Sequence, residues 1–150
     1  MVIRAATVDD LKALLGAYEW LFAPPGSRPP MWDQALAAQR LRAAIAAEDA
    51  EVFVGDGDAV VIGFCTVYLD FESVRFGRRA WVEDLAVDPS HRSQGIGKAL
   101  LATAKDWARE HGATHLELDS SFDRHDAHRF YDRERPSWSS RSFGWLLTSE

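Results

Sequence analysis

An α/β fold with a mixed, mostly antiparallel sheet flanked by helices is predicted by three observations on this 150-residue chain. Apolar residues recur at helical spacing in separate stretches near both ends. Between those stretches the period shortens to that of strands rich in Val, Ile and Phe. The connections in the middle of the chain are too short for a helical crossover, so successive strands there must run antiparallel. The length suits one compact domain over residues 1–150, without a linker.

Residues 2–4 form a short first strand. Thr7-Val8-Asp9-Asp10 then reads as an N-cap with carboxylates in the first helical turn. Leu11, Leu14, Leu15, Tyr18, Leu21 and Phe22 follow on one helical face. Four prolines in APPGSRPP, residues 23–30, remove backbone donors and disfavour helix before them, which makes this a loop. Asp33 caps a second helix carrying Leu36, Leu41 and Ile45, ending near Ala47. Residues 51–55 and 59–69 are strands joined by the turn signal DGD, and residues 78–87, RRAWVEDLAV, supply a third. Helical period returns over residues 97–110 through Ile96, Leu100, Ala104, Trp107 and Ala108, and Gly112 ends that helix. Residues 114–119 alternate as a strand, 126–133 form a short helix, and 142–147 form a final strand.

Composition narrows the function. Seventeen Lys and Arg against 23 Asp and Glu give a formal charge of −6, which argues against a nucleic acid or anionic membrane partner and leans toward cationic small molecules. The single cysteine, Cys65, has no partner for an intrachain disulfide and no thiolate cluster for zinc, so a reducing cytoplasm is the expected setting. Lying in an apolar run with no histidine beside it, Cys65 is assigned to the core. The N-terminus lacks an apolar signal core, and no run approaches the ~18 apolar residues that a membrane span needs. His125 and His128 stand three apart but lack a carboxylate or thiol partner at ligand spacing, so no metal is expected.

The informative segment is residues 82–101, VEDLAVDPSHRSQGIGKALL. A strand end, Leu85-Ala86-Val87, runs through a turn into Gly95-x-Gly97 and directly into an amphipathic helix. Glycines there let backbone approach a ligand, and a helix start offers unpaired N–H groups and the positive dipole end, which suits phosphate. The dinucleotide pattern fails because Leu100 stands where a third glycine belongs. The Walker pattern fails because Ala99 follows Gly97-Lys98.

Arg92-Ser93-Gln94-Gly95-Ile96-Gly97, after a strand ending Leu-x-Val and before Ala127-His128-Arg129-Phe130-Tyr131, resembles the acyl-CoA signature of the GNAT superfamily of N-acetyltransferases. The resemblance covers residues 2–131 and implies a GNAT-like domain with acetyl-CoA as cosubstrate. It implies that backbone groups of Leu85, Ala86 and Val87 pair with the pantetheine arm like an added strand. It also implies that amides of Arg92, Ser93, Gln94, Gly95, Ile96, Gly97 and Lys98 cradle the pyrophosphate, helped by the Arg92 and Lys98 charges. Arg124 matches, loosely, a polar contact to CoA.

Acetyl transfer to an amine requires removal of a proton from an ammonium of pKa near ~10, donors for the oxygen that gathers charge, and a proton for the leaving thiolate. The resemblance implies a backbone N–H donor at a strand bulge, at Leu85 or Ala86, and makes Tyr131 the acid. The other reading of Tyr131 is an aromatic pair with Phe130 packing a short helix. Strand alternation puts Glu83 on the side of Trp81 and Leu85, with Asp84 facing away, so Glu83 is the favoured base, through a water. Its other reading is an ion pair with Arg78 or Arg79. Asp119 is a second candidate base. Some family members carry glutamate where this chain has Trp81, and the family's Gly-Phe after the tyrosine is replaced by residues 132–138, DRERPSW.

The function so implied is direct transfer of acetyl from acetyl-CoA to a primary amine of a small molecule or protein in a ternary complex. The acceptor is a polyamine, aminoglycoside, amino acid, protein N-terminus or lysine, with residues 23–32 as a lid. The rival is a non-catalytic acyl-CoA-binding sensor or interaction module, and a longer acyl chain is a second alternative. Phe143, Trp138 and Trp145 supply a homodimer contact, a substrate wall or ordinary core.

Overall fold

The structure, a computed structural model, describes residues 1–148; Ser149 and Glu150, the last positions of the expected domain, lie outside the described residues. Strands β1 (Val2–Ala5), β2 (Ala50–Asp56), β3 (Val61–Ser73), β4 (Gly77–Val87) and β5 (His115–Glu117) form one five-stranded sheet in sequential order. Neighbours are antiparallel except β4 and β5, which are parallel and are joined through α4 (Ile96–Glu110). The remaining helices are α1 (Leu11–Ala17), α2 (Glu19–Phe22), α3 (Gln34–Ala46) and α5 (His125–Arg133). The fold is thus the α/β class read from the sequence, and the contacts divide it into a unit over Met1–Leu118 and a second from Asp119 onward.

Within the first unit, strand alternation sorts side chains onto two faces. Phe53, Cys65, Val67, Ala80 and Val82 pack with Ile96, Leu100, Ala104 and Trp107 of α4. Val52, Val54, Phe64 and Ala86 point the other way and pack with Leu11 and Leu14 of α1 and Leu41 of α3. Leu100 is fully buried, and truncating such a residue to alanine costs about 2–5 kcal/mol. α4 packs tightly over Gly63 on β3: a Cβ there would lie 2.9 Å from Ile96 Cγ2 and 3.1 Å from Leu100 Cδ1.

The caps read from sequence are present. Thr7 accepts from the Asp9 N–H and forms a capping box with Asp10, and Asp33 accepts from the Leu36 N–H at 3.0 Å. Leu36 itself is exposed, so α3 buries only Ala37 and Leu41. Cys65 is fully buried, and desolvation pushes its thiol up to about 12. It is the inert core residue the sequence implied.

In the second unit, α5 carries Phe130 against Tyr131, ring centroids 5.2 Å apart and T-shaped. Asp119 accepts from the Ser142 hydroxyl at 3.1 Å, and Arg141 lies over the Phe122 ring. The final strand expected at residues 142–147 is not formed: this stretch is irregular, with Phe143, Trp145 and Leu147 exposed. A strand needs a neighbour to complete its ladder, and no described strand pairs with these residues.

Candidate active site

The β3–β4 ladder fixes the site. Thr66 pairs with Asp84 and Val67 pairs with Val82, so Glu83 is an extra residue on β4 and makes a β-bulge. Alternation therefore changes phase at Glu83. Ala80 and Val82 before it, and Leu85 and Val87 after it, all pack toward α4.

Two expectations are corrected by this geometry. Glu83 does not share a face with Leu85, and Asp84 does not point away from Glu83: both line one cavity with Tyr18, which follows α1, and with residues of α3. The irregularity expected at Leu85 or Ala86 lies instead at Glu83, while Leu85 and Ala86 pair regularly with Cys65 and Phe64. Parity counting fails here because a bulge is a property of two strands in register, not of one strand's sequence.

The cavity has a volume of about 250 Å³. Tyr18, Trp32 and Tyr68 contribute rings, Glu83 and Asp84 contribute carboxylates, and Ala37, Leu41 and Ala44 of α3 form an apolar side. Trp32 stands at the end of the proline-rich loop and packs against Tyr18, centroids 5.6 Å apart. That loop residue thus forms part of the wall. Arg40 is the one cationic side chain among the lining residues, and it is exposed.

Asp84 is the most constrained of the acids. Its Oδ2 accepts from the Tyr18 hydroxyl at 2.7 Å and the Thr66 hydroxyl at 3.0 Å, and its own N–H donates to Thr66 Oγ1. Burial raises the Asp84 carboxyl above the ordinary range, against the two hydroxyl bonds that lower it. The same buried surroundings, with Asp84 alongside, raise the Tyr18 phenol. Glu83 is exposed and accepts from Trp81 Nε1 at 3.1 Å. The arginines weighed as its partners are engaged elsewhere: Arg79 with Asp70 and Glu117, Arg78 with Glu72.

Beside the bulge, the other edge of β4 opens. Pairing with β5 covers only Arg79, Ala80 and Trp81, ending at Trp81 opposite Glu117. Leu85, Ala86 and Val87 lie beyond that point, with β3 on one side and no β5 partner on the other. An edge of this kind can accept an extended ligand as an added strand.

The glycine-rich segment follows directly. Asp88 caps the short turn Pro89–His91 by accepting from the Ser90 N–H, and residues 92–95 are exposed. Ser93 has φ 64° and Gly95 φ 79°, both in the left-handed region. Gly95 is the N-cap of α4 without a side-chain cap, and a Cβ built there meets nothing within 4 Å. The first turn of a 15-residue helix thus faces open space, an arrangement that fits a pyrophosphate. Ile96 is buried into the α4 core, Gly97 is half-buried and Lys98 exposed.

Tyr131 and Arg124 stand on α5 and at its N-cap, in the second unit, as does Asp119 beyond β5. Sequence reasoning missed Tyr18, Thr66 and Asp84 as lining residues, and held Trp32 only as the end of a lid loop. Tyr18 was legible only as part of an apolar helix face, although a hydroxyl on such a face is itself a signal that a buried acceptor lies opposite.

Comparison with known proteins agrees with this geometry. The model of the Acetyltransferase (GNAT) family matches residues 12–135. The uncharacterized N-acetyltransferase YhdJ of Bacillus subtilis (strain 168) is 38% identical over 93 residues, 62% of this chain and 65% of that protein. Aminoalkylphosphonate N-acetyltransferase of Salmonella typhimurium is 39% identical over 74 residues, 49% of this chain and 48% of that protein. The matches therefore span less than two thirds of either relative. Among solved structures, aminoglycoside N-acetyltransferase AAC(6')-Iy in complex with CoA superposes with a TM-score of 0.83 at 18% identity, over 99% of this chain and 95% of that one. This likeness is one of fold.

Proposed function

The chain belongs to the GNAT family of acetyltransferases, and from that premise we propose that it transfers an acetyl group directly from acetyl-CoA to a primary amine of a small molecule. The observation that carries this reading is the β4 bulge, which sets Glu83 and Asp84 in a ring-walled cavity just before the open strand edge. The cavity volume of about 250 Å³ favours a small acceptor over a protein segment. The single, buried Cys65 thiol suits a reducing cytoplasm.

Acetyl-CoA, the cosubstrate, supplies an activated acetyl thioester. The backbone of Leu85, Ala86 and Val87 binds its extended arm along the β4 edge, with the Leu85 N–H as donor to the acyl oxygen. The amides of residues 92–98 hold its pyrophosphate, with Arg92 and Lys98 adding charge. Asp84 holds the acceptor ammonium in the cavity, and exposed Glu83 takes its proton through water, a role worth about 10²–10⁴ in rate. From the family resemblance alone, Tyr131 protonates the departing sulfur and Arg124 adds a CoA contact. No nucleophile is required, because acceptor and cosubstrate are bound together.

Calorimetric titration of acetyl-CoA tests the premise. Native protein and Gly95→Ala bind, while Gly95→Glu, whose carboxylate would occupy the open space over α4, loses binding; absence of binding to the native protein overturns the reading. Thiol release over an amine panel then separates the transferase from the sensor reading, since a sensor binds acetyl-CoA and releases no thiol with any amine.

A further inference from the structure

We propose that Thr66 is a positioning residue: its hydroxyl holds the Asp84 carboxylate in one orientation, so that Oδ1 alone is left to receive the acceptor ammonium. This inference rests on the transferase reading above, in which Asp84 holds that ammonium.

Thr66 stands in the middle of β3, a strand held on both sides, opposite Val52 on β2 and Asp84 on β4. Its neighbours Cys65 and Val67 pack toward α4, and alternation turns the Thr66 side chain to the other face, where it lines the cavity. Two bonds then fix the direction of its one hydroxyl proton. The Asp84 N–H can only donate, and it does so to Thr66 Oγ1 at 3.0 Å; the threonine proton goes to Asp84 Oδ2, also at 3.0 Å. Together they close a ring that runs from the Asp84 amide through the threonine oxygen to the carboxylate of the same aspartate. Such a ring restricts both side-chain torsions of Asp84. The β-branched threonine is itself stiff at χ1, so the clamp is built on a rigid side chain of an interior strand.

The second donor makes the arrangement asymmetric. The Tyr18 hydroxyl also reaches Oδ2, at 2.7 Å. Both neutral donors therefore converge on one carboxylate oxygen, and among the described residues Oδ1 has no hydrogen-bond partner. Oδ1 also retains accessible surface. An oxygen without a protein partner, open to the cavity and held against rotation, is a fixed acceptor for an ammonium N–H. Neither hydroxyl carries a charge that would compete with the incoming cation.

The experiment is steady-state thiol release from acetyl-CoA with butylamine, diaminobutane, phenethylamine and glucosamine, on native protein, Thr66→Val, Thr66→Ala and Thr66→Ser. For the amine that native protein uses best, Thr66→Val is expected to raise KM about tenfold, the scale of one hydrogen bond to a charged group, with kcat changing less. Thr66→Ala carries the same expectation should the valine variant not fold, and Thr66→Ser, which keeps Oγ, restores most of the loss. Calorimetric titration of acetyl-CoA into each variant separates positioning from mere structure, because a damaged β4 weakens cosubstrate and amine together. An unchanged KM without the hydroxyl, a serine variant as impaired as the valine one, or acetyl-CoA binding weakened in parallel overturns the proposal and leaves the transferase standing. Thiol release with none of the four amines, despite acetyl-CoA binding, overturns the transferase reading and this inference with it.

Discussion

Two aspartates of this chain, Asp10 and Asp84, are both withdrawn from water and are treated in opposite ways. Asp10 receives two hydrogen bonds from the Arg4 guanidinium, at 2.9 and 3.0 Å, and one from the Thr7 N–H at 2.8 Å. Arg4 is held at the same time by Asp56, so the cluster ties β1, β2 and the start of α1 together. Asp84 receives only neutral hydroxyls. The Arg4 bonds hold the Asp10 carboxyl below its usual range, whereas desolvation holds Asp84 above it. The charge of Asp10 is spent on the fold; that of Asp84 is left with electrostatic capacity that an arriving cation can use.

The largest effect that can break this contrast is on turnover. Asp84→Ala should lower kcat/KM for the preferred amine by about 10–100-fold, the scale of losing a hydrogen bond to a charged group, and Asp10→Ala should leave it within a factor of two. Steady-state thiol release measures both, and equal losses would erase the distinction. Stability should respond in reverse order. Asp10→Ala removes a capping box and a partly exposed ion pair, costing about 1–2 kcal/mol, which lowers Tm by roughly 2–8 °C in a domain of this size.

A subtler probe is Tyr18→Phe, which keeps the ring and deletes one donor to Asp84. KM for the amine should rise about 2–10-fold, the range expected for one net hydrogen bond, with kcat changing less. The smallest effect concerns pH. A raised native pKa means that the folded protein binds the Asp84 proton more tightly than the unfolded chain. The stability tied to that proton is present below the unfolded value, ~3.9, and fades as pH rises through the native one. Asp84→Asn therefore gains stability relative to native on going from acid to neutral pH. For Asp10, with its pKa lowered, the sign is opposite: its contribution is present above ~3.9 and lost as pH falls through the native value. Thermal melts of native, Asp84→Asn and Asp10→Asn across that range would show the two differences moving in opposite directions.

Much of the sheet was legible because the information is local. The Val- and Phe-rich run at residues 51–55, the DGD turn and the apolar stripe of α4 each specify an element without reference to distant residues. The glycine loop was legible for the same reason, since a helix start and two glycines are contiguous in sequence. The phase change at Glu83 was not, because it exists only relative to Thr66 and Val67 on β3. Tyr18 and Trp32 reach the same cavity from a helix and a loop remote from β4 in sequence. Residues 142–147 show the converse error: strand-like composition without a partner does not make a strand.

One extra residue in β4 also divides the strand into two segments that can vary independently. On the near side, substitutions at Glu83, or at Trp81 that donates to it, alter the cavity wall. On the far side, Leu85, Ala86 and Val87 keep their pairing with Cys65, Phe64 and Gly63, and so keep the exposed edge in place. Selection for a new acceptor can thus rewrite the first segment while the second goes on presenting the same backbone groups to the same cosubstrate.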